Sequence, residues 1–165
     1  MKHITFCALM GINFIVTAAT AATGATGSAN INVTADVDPS LALLSSDNTS
    51  LKDISLAYIP SRGLQAGSEQ VRIASNDNTH GVDVTLSQDV QLVNAADPAT
   101  KVPMTVTLGS NDLTTAKPAS FGKALFTNGE TSPLTLTVAP KGKTDTLSSG
   151  HYSGAISLVL AQSTN

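Results

Sequence analysis

The chain has 165 residues, nine Lys and Arg against twelve Asp and Glu, a formal net charge of −3, one cysteine and no tryptophan. So weak an acidic balance, with its few cations scattered, disfavours nucleic acid and anionic membrane surfaces as partners. The length suits one domain, and the abundance of Thr, Ser, Val, Leu and Ala beside only 4% aromatic residues points to β structure built from modest side chains.

The chain opens on "MKHITFCALMGINFIVTAATAATGATGSA", with Lys2, an apolar run from Ile4 to Val16 and then a tract of small residues. That is the three-part layout of a secretory signal peptide. The run is interrupted by Thr5, Gly11 and Asn13 and is too short and too polar for a spanning helix, which needs about 20 apolar residues. A leader is expected over residues 1–25, with the cut between Ala21 and Ser28. Its removal takes away Lys2 and Cys7, leaving eight basic residues (9 − 1) against twelve acidic ones, a net charge of about −4. The remaining chain has no cysteine, so an exported protein of this kind must draw its stability from core packing and strand pairing.

Residues 30–43, "NINVTADVDPSLAL", alternate strictly. Ile31, Val33, Ala35, Val37, Pro39, Leu41 and Leu43 are apolar or small, and the positions between them up to Ser40 are polar. Period-2 alternation marks a half-buried strand, but this one is about twice the usual length. Beyond it, "SSDNTS" (45–50) is a loop of turn formers. "DISLAYIP" (53–60) alternates Ile54, Leu56 and Tyr58, and "SRGLQAG" (61–67) is a loop. The runs "EQVRIAS" and "GVDVTLS" flank "NDNTH" and predict a β-hairpin over 70–86. "VQLV" (90–93) is a short strand. "KVPMTVTLGS" (101–110) is a longer one, with Pro103 marking an edge or a beginning. "FGKALF" (121–126) is compatible with a strand or a turn of helix. "PLTLTVAP" (133–140) and "HYSGAISLVLA" (151–161) complete the series, the latter as one last strand. No stretch has a capped 3.6-residue period, and many short strands between turns predict an all-β sandwich.

Chemistry is poorly represented. His80 and His151 lie far apart beside turn glycines, and no HExxH, CxxC or nucleophile-elbow pattern occurs. "NDNTHGVD" (76–83) has the oxygen spacing of a calcium loop but places Ser87 where a bidentate Glu is needed, and a turn accounts for its Asn and Asp. Asp36 and Asp38 share one face of the opening strand, where solvation explains them. No catalytic residue, metal or cofactor is expected, and no enzymatic activity.

"NINVTADVDPSLALL", "LAYIP" (56–60), "APK" (139–141) and "GHYSGAISLVL" (150–160) occur in the order found in the major pilins of colonisation-factor-antigen-I-type fimbriae. The chain resembles that family of alternate chaperone–usher pilins from about Asn30 to Leu160. The resemblance implies an immunoglobulin-like sandwich lacking one strand, completed in trans by a neighbouring subunit's N-terminal strand. It divides the chain into a leader (1–25), a donor-strand extension (26–39) and a pilin domain (40–165). Ile31, Val33, Ala35 and Val37 are then the donated side chains, and Leu41–Leu44 begins the domain's own first strand. Tyr152, Ile156, Leu158 and Leu160 are candidates for the acceptor groove. The implied partners are identical subunits, a periplasmic chaperone, an outer-membrane usher and a tip adhesin subunit, in a fimbria on the bacterial surface that supports adhesion to host cells. The alternative is a secreted or fimbrial sandwich that binds host glycans directly.

Overall fold

A computed structural model describes residues 40–77 and 79–164. In chain order its strands are β1 (Leu41–Ser45), β2 (Tyr58–Ile59), β3 (Gly63–Leu64), β4 (Gly67–Ser75), β5 (Val82–Leu86), β6 (Gln91–Asn94) and β7 (Lys101–Leu108). There follow β8 (Asn111–Leu113), β9 (Ala119–Phe121), a 3-10 turn at Lys123–Leu125, β10 (Phe126–Thr127), β11 (Glu130–Thr131), β12 (Leu134–Pro140), β13 (Tyr152–Ser153) and β14 (Leu158–Gln162). One sheet runs β10-β11-β4-β12-β7-β6-β13, with β1 added on β4 and β8 on β7; the second is β14-β5-β9.

Alternation places the core. On β7, Val102, Met104, Val106 and Leu108 are buried while Lys101, Pro103 and Thr105 are exposed. Val71 and Ile73 of β4, Leu136 and Val138 of β12, and Val82, Val84 and Leu86 of β5 join them in one cluster between the sheets. The fold is an all-β immunoglobulin-like sandwich lacking a strand.

Three local expectations are corrected. Residues 70–86 do not form a hairpin. β4 pairs with β1, β11 and β12, whereas β5 pairs with β14 and β9 in the other sheet. Both strands carry a one-sided apolar stripe, and the two stripes bury each other only across the sandwich, so the segment between them is a corner joining the sheets. Likewise, 151–161 is two strands rather than one. β13 pairs with β6 at one sheet's edge and β14 with β5 at the other's. Gly154, between them, is pressed on β6 so closely that a Cβ there would lie 2.3 Å from the Gln91 carbonyl oxygen. Finally, of the strand expected at 53–60 only Tyr58–Ile59 is one, and that short piece pairs with β3.

Candidate functional site

The unpaired part of that segment forms one wall of a groove. After β1, Ser46 N–H still donates to the Gln70 carbonyl at 2.8 Å. A turn follows, in which the Thr49 N–H and hydroxyl both donate to the Asp47 carboxylate. These bonds, the hydroxyl's first, and Lys52 more weakly hold the Asp47 pKa down at about 2. From here the chain runs beside the first half of β4 without joining its ladder. Lys52 N–H donates to the Glu69 carboxylate at 3.0 and 3.2 Å instead of to a main-chain carbonyl. Ile54 and Leu56 drop their side chains onto Gly67, where a Cβ would sit 2.6 Å from each. Main-chain pairing resumes only where Gln65 N–H donates to Ala57 at 2.7 Å. Among the described residues no strand pairs with 51–57.

The facing wall is 150–158. Its outer edge is tied down: Ala95 N–H donates to His151 at 2.8 Å and Ser87 N–H to Ser157 at 2.9 Å. The opposite edge looks across at the first wall. The groove between them has a volume of about 820 Å³ and a floor of Val90, Leu92, Leu136 and Val138, so it reaches into the core itself. Leu51 and Tyr58 on the first wall are 42% and 44% exposed, too much for side chains of that size to be serving an ordinary interior.

The register fixes the groove's orientation. Leu41 lies opposite Ser75, and Val82 opposite Gln162, so β1 begins at the pole where β4 turns into β5 and β14 ends. The groove occupies the other half, from Leu51 and Leu158 to Tyr58 and Gly150. Beyond its Leu158 end, β1 and β14 approach with Cα atoms within 8 Å. An intervening strand would need about 9.6 Å, twice the usual spacing. At the other end the β2–β3 hairpin packs on the loop after β12. Leu64 N–H donates to the Thr144 hydroxyl at 2.8 Å, and the Tyr58 hydroxyl to the Asp145 carbonyl at 2.8 Å.

Of the residues singled out from the sequence, Tyr152, Ile156 and Leu158 line this groove. Leu160 does not; it pairs with Val84 and packs on the core further along β14. Ile31, Val33, Ala35 and Val37 lie outside the described residues. Sequence reasoning overlooked the wall made by Leu51, Ile54, Leu56 and Tyr58. The alternation of Ile54, Leu56 and Tyr58 was legible, with Leu51 outside it, but nothing in it says that no neighbouring strand pairs with them. At the opposite pole, His80 Nδ1 lies 2.8 Å from Asp77, whose carboxylate is held well below its usual range by Thr79 first and then by His80. Those oxygens are engaged within an exposed turn. Among the described residues no three His, Cys, Asp or Glu side chains gather to hold a metal ion.

A family model described as the CS1 type fimbrial major subunit matches residues 28–161. A CFA/I fimbrial subunit of Escherichia coli is 36% identical over 140 residues, spanning 79% of this chain and 82% of that one. A CS1 fimbrial subunit of Escherichia coli is 32% identical over 148 residues, spanning 81% and 84%. The solved structure of the CooA pilin subunit from enterotoxigenic Escherichia coli superposes with a TM-score of 0.66 at 27% identity, over 76% of this chain and 88% of that one. With a match that runs through both groove walls and the floor between them, this chain belongs to the CS1 type fimbrial major subunit family.

Proposed function

We propose that the chain forms the shaft of a surface fimbria, polymerising head-to-tail by donor-strand exchange: residues 30–37 of one copy fill the groove of the next. The observation that carries this reading is the wall at 51–57, extended and apolar on its inner side, with no ladder partner among the described residues. An open edge over an uncovered core is an aggregation hazard. A strand added from another molecule removes the hazard, main-chain bonds giving affinity and alternate side chains giving register.

The dimensions support residues 30–37 as that strand. Eight extended residues span about 26 Å, and the nine residues 150–158 span at most about 30 Å, so the segment is long enough for most of the groove. Ile31, Val33 and Val37, fully buried, contribute roughly 1.5–3 kcal/mol each, a gross sum of about 4.5–9 kcal/mol that ordering and docking costs reduce. The extension joins the domain at Ser40, which is tied to Asn76 at the pole away from the groove (Ser40 N–H to Asn76 Oδ1, 2.7 Å). Its own groove begins only beyond β1, where β1 and β14 lie with Cα atoms within 8 Å, so filling it would require the extension to turn back along that strand. Insertion into another copy needs no such reversal. Such a heterologous contact does not close, and it gives a filament.

The remaining partners are those that membership of this pilin family implies. Before assembly a periplasmic chaperone covers the groove with a strand of its own. At the outer-membrane usher the next subunit's extension replaces that strand, and a tip adhesin subunit ends the shaft. The fibre so formed supports adhesion to host cells. The test is to produce the chain with and without residues 26–38 and look for heat-sensitive oligomer ladders. The reading requires that they disappear with the deletion; a truncated form that still polymerises refutes it.

A further inference from the structure

The groove is not electrically uniform. On the hairpin and the loop packed on it Arg62, Lys141 and Lys143 are exposed against one exposed carboxylate, Asp145, a local balance of +2 (3 − 1) in a chain whose total is −3; the β6–β7 connection bonded to His151 adds exposed Asp97 and Lys101, which cancel. The first four residues belong to one structural unit, because the loop carrying Lys141, Lys143 and Asp145 is bonded to the hairpin carrying Arg62 through Thr144 and Tyr58. Lys141 itself is anchored, its N–H donating to the Pro103 carbonyl at 2.8 Å. Deeper along the groove the sign reverses. Asp53, Glu69 and Lys52 line it, two carboxylates against one ammonium, and that ammonium is paired with Asp47 at 3.3 Å.

The segment proposed to fill the groove is also asymmetric. Between Asn30 and Ser40 its only charged residues are Asp36 and Asp38, both at its C-terminal end. We infer that the Arg62, Lys141 and Lys143 cluster receives Asp36 and Asp38 of the incoming copy, and that this charge match sets the direction and speed of strand insertion. The inference rests on the donated-strand reading and adds to it an electrostatic docking site outside the groove itself. In the favoured direction, Val37 lies near His151 and Tyr152, so Asp36 and Asp38 fall at the basic end. Ile31 then lies near Leu158, where β1 and β14 close ranks. In the reverse direction the two carboxylates would meet Asp53 and Glu69 at that closed end, and repulsion would oppose insertion. Exposed charge pairs of this kind steer encounter more than they tighten the final complex, and salt screens them.

The test uses the exported chain purified in denaturant, diluted out of it, and timed as it converts to oligomer ladders at about 0.02 M and about 0.5 M salt. Lys141→Glu with Lys143→Glu should slow conversion about tenfold at low salt and less than about twofold at high salt. Asp36→Lys with Asp38→Lys should do the same, and combining all four changes should restore most of the rate. Val33→Asp runs alongside, since it strikes strand burial and not the cluster. If the charge reversals leave the rate within twofold, or the fourfold variant is slower than either pair, while Val33→Asp still abolishes ladders, the docking site is refuted and the donated strand stands. If Val33→Asp also assembles normally, the donated-strand reading falls and the docking site falls with it.

Discussion

Leu51→Ala separates a groove that awaits a strand from an ordinary surface. Leu51 lines the groove and is 42% exposed in the subunit, so truncation there creates no cavity and should change the subunit's own stability by less than about 0.5 kcal/mol. In a fibre the incoming strand would cover that exposed fraction. The three carbons lost are worth about 0.8 kcal/mol each on full burial, or about 1 kcal/mol for the part newly covered. Each junction is weakened about fivefold, and the temperature at which fibres dissociate should fall by about 3–5 °C. Val159→Ala is the control. Val159 is 49% exposed on β14 but is absent from the groove lining, so its truncation should leave fibre dissociation unchanged. The assay is the loss of ladders in detergent with rising temperature. Equal shifts for the two variants, or none for Leu51→Ala, would refute the claim that the groove is covered on assembly.

Further outcomes concern the scaffold around it. Leu108→Ala, at a position with no exposure, should cost the subunit about 2–5 kcal/mol, seen as lost yield and faster proteolysis. Gly63→Ala places a Cβ 2.3 Å from the Thr144 hydroxyl at a φ of +79°, and should destabilise the hairpin by about 1–3 kcal/mol; limited proteolysis near residues 58–64 would register it. Thr49→Ala should raise the Asp47 pKa from about 2 toward 3.8, because it removes the hydroxyl that contributes most to the shift. A folded-state pKa below the unfolded one adds stability above the unfolded value and loses it as pH falls through the folded value. The variant should therefore keep less of that contribution, and carboxylate titration by NMR would show the Asp47 midpoint moving up from about 2 toward 3.8.

Strands with one buried face were readable directly. Val102 to Leu108 and Leu134 to Val138 alternate in the sequence, and burial follows over Val102–Leu108 and over Thr135–Val138. Sheet membership was not readable. The alternation on either side of residues 76–81 is the same for a hairpin as for a corner between sheets, and only the pairing of β4 with β1 and β12 decides it. The break at Gly154 was equally hidden, since it follows from contact with Gln91, some 60 residues earlier. For the groove, one wall was partly legible through Tyr152, Ile156 and Leu158. The other read as a normal strand over 53–60, through Ile54, Leu56 and Tyr58, because an unpaired edge leaves no mark on local alternation. Leu160 shows the converse: its pattern continues the groove wall, but its neighbours are core.

The most direct test of the account is to ask whether residue 33 of one copy touches the groove of another. Cys7 is the one cysteine of the chain and lies within the expected leader; with Cys7→Ser added, introduced thiols report without interference. Val33→Cys is combined in turn with Ile54→Cys, Leu56→Cys and Ile156→Cys, and exported chains are run under denaturing, non-reducing conditions. At least one pair should yield a covalent ladder of dimers, trimers and longer forms that collapses on reduction. A disulfide confined to monomers, or fibres in which none of the three pairs cross-links, would contradict the donated strand.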